Sequence, residues 1–268
     1  MYKMIDIHNH IIPKFDDGPK SFDESLDLLR MAQEQGISTV FATSHFNEYI
    51  PKELEAEYFS KLAQLKEMAY ARNIPVDIHS GSEIFYHHYV QDTVKNSRVT
   101  TLGGWGQYVL IEFPMFQMPE GVEEVLFRLS AENFIPVVAH PERYSAVIER
   151  WERTVNFIKY GALLQVNGGS ILGIFGKEIQ KVSMTLLEQN LVHFIASDAH
   201  SPNGRKFVMG EVREFLKEKI PPGYLKELLS ENQQKVIDKT PLENASVPEK
   251  NGRTGFFSRL KKSIKQTF

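Results

Sequence analysis

The chain has 268 residues, 42% of them hydrophobic and 24% charged, a balance that excludes disordered and fibrous classes and suffices for a full buried core. Thirty-one Lys and Arg against 34 Asp and Glu leave a formal charge of -3, without the basic excess of a protein that tracks phosphate backbones, so nucleic acid is not an expected partner. A cysteine count of 0 excludes disulfides, thiolate metal sites and cysteine nucleophiles. The N-terminal MYKMIDIHNH has no long apolar run, and no stretch approaches the ~18 apolar residues of a spanning helix, so the expected location is cytoplasmic.

Short β-type runs alternate with longer helical patterns from Lys3 to about Ile237, the mark of βα units on a parallel sheet. The first strand is expected over Lys3 to His8. A helix follows, opened by Ser21 with Glu24 as a capping box, carried by Leu26, Leu29 and Ala32, and stopped at Gly36. Then come a strand at Ser38 to Thr43, a helix from about Lys52 to Arg72, and strands at Val76 to Ser80 and Tyr108 to Glu112. A helix after Pro119 leads to a strand at Ile135 to Ala139, a helix over roughly Ala146 to Tyr160, and a strand at Ala162 to Val166. A helix over roughly Lys177 to Gln189 precedes the last strand, Val192 to Ser197. Two helices close the series, near Phe207 to Lys219 and Tyr224 to Val236, separated by Pro221 and Pro222. Most of these strands are continuous apolar runs, as strands covered on both faces are.

The pattern defines one domain over residues 1–239 and a tail over 240–268, where Pro241, Pro248, Gly252 and Gly255 interrupt a polar stretch that reads as flexible. The tail ends in GFFSRLKKSIKQTF, with Phe256, Phe257, Leu260 and Ile264 close to helical spacing among Arg259, Lys261, Lys262 and Lys265. Weak contact with an anionic membrane surface, docking on a partner, and a solvated basic tail are all open readings.

Parallel α/β barrels place their active sites at the C-terminal ends of the strands, and nearly every strand here brings a polar group there. The first ends in His8-Asn9-His10, and alternation along a strand sends His8 and His10 to one side, where they can share a metal ion. Asp17 lies in FDDG, His45 follows the second strand, Glu83 the third, Glu112 ends the fourth, His140 follows the fifth, and Asp198-Ala199-His200 the seventh. Five of the 9 histidines thus fall at strand ends, away from His79, His87, His88 and His193. Buried imidazoles and carboxylates converging on one mouth need cations to hold them together. Without thiolates the donors are N and O, which suits Mn, Fe, Co or Zn, and so many ligands point to two or three ions. Three divalent ions set against Asp17, Glu83, Glu112 and Asp198 leave about two positive charges, the complement of a phosphate-monoester dianion.

HxH near the N-terminus, DDG, TSH, GSE, the Glu of IEFP, HPER and SDAH, in this order, resemble the polymerase and histidinol phosphatase (PHP) superfamily. IEFP, HPERY and SDAHSPNGR are similar to its bacterial tyrosine-phosphatase branch, which acts on autokinases of capsule and exopolysaccharide synthesis. The match covers about Met4 to Val236. The resemblance implies a distorted TIM-like (β/α)7 barrel, the PHP fold, with three divalent metals, usually Mn2+, Fe or Zn being alternatives. It implies a phosphotyrosine protein, a bacterial tyrosine kinase, as substrate. By the same resemblance one metal is held by His8, His10, Glu83 and Asp198, a second by Glu83, Glu112 and His140, and a third by Asp17, His45 and His200. Asp16, adjacent to Asp17, differs from it only in register. Other branches carry His where Glu112 stands, so the carboxylate favours the tyrosine-phosphatase branch over histidinol phosphatase.

Arg143 lies three residues past His140 and Arg205 five past His200; their planar forks suit phosphate oxygens, and both are expected as catalytic residues. Phe113, Met115, Phe116 and Met118 offer apolar surface either for an aromatic ring or for packing on the barrel rim. The rival readings are another phosphoesterase of the superfamily, a histidinol phosphatase or an exonuclease, and a noncatalytic binding module stabilised by metals.

Overall fold

The computed structural model describes residues 2–242. The basic segment with Phe256, Phe257, Leu260 and Ile264 therefore lies outside the described residues. Seven parallel strands form one sheet in sequence order: β1 Met4–Asn9, β2 Ile37–Phe46, β3 Asp77–Phe85, β4 Tyr108–Glu112, β5 Ile135–Ala139, β6 Leu163–Asn167 and β7 Phe194–Ala196. The sheet curls until its edges meet. His10 N donates to Ala199 O at 2.8 Å and Asp198 N to His8 O at 2.8 Å, closing a (β/α)7 barrel at its C-terminal mouth.

Two apolar layers explain why the barrel holds. Ile5, Phe41, Tyr108, Leu110, Val137, Leu163 and Phe194 fill the interior. Val40, Ile78, Val109, Ile111, Val138, Leu164 and Ile195 face the surrounding helices. This alternation carries the site. Phe41, Thr43 and His45 share one face of β2; Gly81, Glu83 and Phe85 share one of β3; Leu110 and Glu112 share one of β4; Leu163, Gln165 and Asn167 share one of β6. On β2, β4 and β6 the inner face runs from the core to a polar group at the mouth, and on β3 Glu83 is followed by Phe85 at the strand's end. At the other end Trp105, Ile237 and Leu242 pack against the interior cluster, and Tyr108 OH donates to Thr240 O while accepting from Leu242 N.

The helix Phe22–Glu34 is capped as its sequence predicts, with Ser21 Oγ accepting from Glu24 N. Three expectations need correction. β2 and β3 run past their expected ends, because parallel pairing continues through His45 with Glu83 and Phe46 with Ile84; these two polar residues lie within strands, not after them. The helix expected over Ala146 to Tyr160 is two, Ser145–Glu149 and Arg153–Lys159, since Arg150 adopts an extended backbone between them. The helices Val90–Asn96 and Gly168–Ile171 were not foreseen.

Candidate metal centre

All nine expected ligand residues converge on the barrel mouth. His8, His10, Glu83, His140, Asp198 and His200 are each at most 4% exposed, whereas the Asp17 side chain is 62% exposed at the rim. Glu83 is the centre. Its Oε2 lies 3.2 Å from His8 Nε2, 3.3 Å from His10 Nε2 and 3.2 Å from His45 Nδ1, and its Oε1 lies 2.9 Å from His140 Nε2. Glu112 reaches the same two outer imidazoles, 3.6 Å from His140 and 3.8 Å from His45. Asp17 Oδ1 sits 3.2 Å from His200 Nε2 and 3.5 Å from His45 Nε2. Asp198 Oδ1 sits 3.5 Å from His8 Nε2 and 3.6 Å from His10 Nε2.

Backbone geometry at one strand end turns a side chain that alternation alone would misdirect, whereas Asp198 stays in step with the inward-facing Phe194 and Ala196. His140 follows the inward-facing Ala139 and takes a left-handed φ of 31°; Asp198 takes φ 55°. Such conformations are unfavourable for residues with a Cβ and persist where the surroundings over-determine them. In β1 the pairing with β2 shifts register between Asp6 and Asn9, an irregularity of the kind that re-aims side chains at a barrel rim.

Asp16 and Asp17 are told apart by their partners. Asp16 accepts from His10 Nδ1 at 2.8 Å, His45 N at 3.0 Å and Gly18 N at 3.0 Å, so its lone pairs are committed to holding the loop and the His10 ring. Gly18 is needed there, because a Cβ on it would fall 2.4 Å from His10 O. Asp17 faces His45 and His200 instead.

Two residues that sequence reasoning missed, Gln165 and Asn167, lie on β6, the strand without a candidate ligand. Gln165 Oε1 accepts from His8 Nδ1 at 2.8 Å, Gln165 Nε2 donates to Asn167 Oδ1 at 2.8 Å, and Asn167 Nδ2 donates to Asp198 Oδ2 at 2.7 Å. This relay fixes the His8 tautomer so that Nε2 faces the pocket, as outer partners do for ligating histidines. The available signal was the alternation in LLQVN, which sets two amides on the inner face of an otherwise apolar strand. Gln165→Leu is expected to weaken metal binding by about 10- to 100-fold. Calorimetric titration of the metal-free protein measures this; an unchanged affinity would remove the orienting role.

Without cations the cluster is neutralised by protons held on His8, His10 and Glu112. Burial opposes ionisation of Glu83, yet the His8 charge and hydrogen bonds from His10, His140 and His8 outweigh it and hold the carboxyl well below its usual range. Burial, with the Glu83 charge close by, pushes the neighbouring Glu112 carboxyl up to about 8. Burial likewise works against the His10 cation, but hydrogen bonds to Asp16 and Glu83 raise its pKa to about 10. Divalent cations bound between these groups would relieve the carboxylate repulsion and take the place of the imidazole protons. The ligand atoms fit that demand: they fall into four mutually close sets, each within 4.8 Å, namely His10, Asp17, His45 and His200; His8, His10 and Asp198; His8, Glu83 and His140; and His45, Glu83 and Glu112.

Arg143 Nη1 and Arg205 Nη1 lie 3.1 and 3.2 Å from the same oxygen, Asp198 Oδ2. Arg205 Nη2 also contacts His200 Nε2. Their side chains are 20% and 27% exposed, so both reach solvent at the mouth. Phe175 stacks under the Arg143 guanidinium at 4.9 Å, a positioning contact not visible in sequence.

A family model for capsular polysaccharide synthesis, CpsB/CapC, matches residues 4–238. The tyrosine-protein phosphatase YwqE of Bacillus subtilis is 35% identical over 95% of this chain and 100% of its own length. The tyrosine-protein phosphatase CpsB of Streptococcus agalactiae is 32% identical over 87% of this chain and 98% of its own. A solved structure from work on YwqE of B. subtilis and CpsB of Streptococcus pneumoniae, described as unique metal-dependent tyrosine phosphatases, matches with a TM-score of 0.85 at 33% identity, covering 92% of this chain and 100% of that one. The phosphotriesterase homology protein of Escherichia coli, at 9% identity and a TM-score of 0.54, shares the barrel fold alone.

Proposed function

The chain belongs to the CpsB/CapC family of capsular polysaccharide synthesis, and we propose that, as a metal-dependent protein-tyrosine phosphatase, it acts on a bacterial tyrosine autokinase and hydrolyses the phosphate ester at the barrel mouth. It is thereby a phosphoric monoester hydrolase. The observation that carries the site assignment is the convergence of five imidazoles and four carboxylates beside two arginines that share Asp198.

In this reading His8, His10, Glu83 and Asp198 would hold one ion, Glu83, Glu112 and His140 a second, and Asp17, His45 and His200 a third. The ions are Mn2+, for which Fe or Zn could substitute on the same N/O donor set. When bound, they supply a water that is nucleophilic near neutral pH and positive charge facing the phosphoryl oxygens. Arg143 and Arg205 bind those oxygens and stabilise the charge that develops on them. Asn167 and the two arginines occupy Asp198 Oδ2, which leaves Oδ1 turned to the histidines. Asp16 and Gln165 hold the His10 and His8 rings. A tyrosine leaving group has a pKa of about 10 and departs with little protonation, so no dedicated acid is required.

An autokinase substrate, phosphorylated from ATP, sets the enzyme in the cytoplasm. No helix among the described residues is long and apolar enough to cross a membrane. The test compares a phosphotyrosine peptide, histidinol phosphate and single-stranded DNA with the Mn2+-loaded protein. Preferential hydrolysis of the phosphopeptide is expected; preference for histidinol phosphate or for DNA would transfer the chain to another phosphoesterase activity.

A further inference from the structure

Eight large hydrophobic side chains are exposed among the described residues, and five of them, Tyr49, Phe85, Tyr89, Phe116 and Ile174, lie at or just past the C-terminal ends of β2, β3, β4 and β6. The other three, Tyr70, Phe127 and Tyr160, belong to the outer helices or their ends. Single exposed hydrophobics need no explanation; their gathering around one mouth does. Phe116 is 90% and Tyr49 79% exposed, while Phe113 in the same loop as Phe116 is fully buried against Tyr144. The loop is thus anchored by one phenylalanine and presents the other.

The loops that carry these side chains are tied to one another. Thr93 Oγ1 donates to Glu48 O at 2.8 Å, joining the segment after β3 to the loop after β2. Tyr86 OH donates to Glu120 O at 3.1 Å, joining it to the loop after β4. Ser145 N donates to Met115 O at 2.8 Å, and Arg143 stacks on Phe175, linking the loops after β4, β5 and β6. The apolar groups therefore stand on a held rim. Phe85 reaches nearest the centre by register: it shares the inner face of β3 with Glu83 and pairs with Glu112 of β4.

We propose that this rim docks an extended segment of the substrate protein whose residues on either side of the phosphotyrosine are apolar or aromatic. The proposal rests on the phosphatase reading of the mouth. The occupant follows from complementarity and continuity: two arginines and the ligand cluster at the centre call for a dianion, and the surrounding apolar side chains call for apolar flanks on the same segment. An extended segment meets contacts spread over separate loops, with alternate side chains reaching different ones. A lipid surface, whose phosphates are mostly diesters, or a second copy of the chain would cover the mouth without delivering a tyrosine phosphate to it.

The test uses the full chain loaded with Mn2+ and three substrates: a small aryl phosphate, a phosphotyrosine peptide with Gly and Ser flanks, and one of equal charge with Leu, Ile and Tyr flanks. Nonhydrolysable phosphonate versions of the peptides give binding without turnover. The apolar-flanked peptide is expected to bind about 10-fold more tightly than the Gly/Ser one. The double variant Tyr49→Ser with Tyr89→Ser is expected to erase that preference through KM while changing turnover of the small aryl phosphate less than about twofold. Equal binding of both peptides to the unsubstituted protein would overturn the proposal, as would a double variant that loses all three substrates alike. A self-association that the double variant abolishes, with peptide binding unchanged, would assign the rim to a second copy instead. Flank-dependent peptide binding without hydrolysis of the small aryl phosphate would sink the phosphatase reading and leave the rim standing.

Discussion

Glu83→Gln should cost the protein its metal and its turnover together, with kcat/KM down by about 10³-fold or more and bound metal falling in parallel. The expectation comes from position. One carboxylate, 1% exposed, faces four imidazoles within 3.3 Å, and two of the four ligand sets include it. The amide is nearly isosteric, so packing is preserved, but it removes the negative charge and turns an N–H donor toward nitrogens that must accept a cation. Elemental analysis after gel filtration reads the metal, and thermal unfolding shows that the fold survives. Full metal content in Glu83→Gln would move the centre away from Glu83.

Arg143→Ala and Arg205→Ala should each lower kcat/KM by about 10²- to 10³-fold while leaving bound metal nearly unchanged. Both guanidinium groups meet Asp198 at Oδ2, whereas Oδ1 is the oxygen that approaches His8 and His10. Their loss therefore removes charge from the phosphate's side without dismantling the ligand set. Wild-type turnover in both variants would eliminate the phosphate clamp. The contrast with Glu83→Gln is the informative part: one substitution takes metal and activity, the other two take activity alone.

Much of the centre was legible because strand alternation is a strict physical rule. The pairs Leu110 and Glu112 or Phe41 and His45 show an inner face that is apolar in the barrel and polar at the mouth, a pattern that short apolar runs with polar ends betray in the sequence. What stayed hidden depends on pairing and on local dihedrals. Nothing in Val76 to Ser80 told that the β2–β3 ladder runs on through Glu83. The left-handed turns at His140 and Asp198 are set by their surroundings, not by residue type. Asp16 and Asp17 are chemically identical neighbours, and only the hydrogen bonds to His10, Gly18 and His45 separate a supporting carboxylate from one that faces the pocket. Gln165 and Asn167 escaped because amides do not resemble metal ligands, and their part is to hold ligands rather than to be them. The break at Arg150 was lost inside a helical pattern that continues on both sides of it.

The most direct test strips the protein with a chelator, verifies the loss by elemental analysis, and titrates Mn2+ back while following phosphotyrosine-peptide hydrolysis and metal bound per chain. Activity should be absent at the start and return with metal, reaching its plateau at about three ions per chain. Undiminished hydrolysis by protein shown to carry no metal would contradict the account at its root.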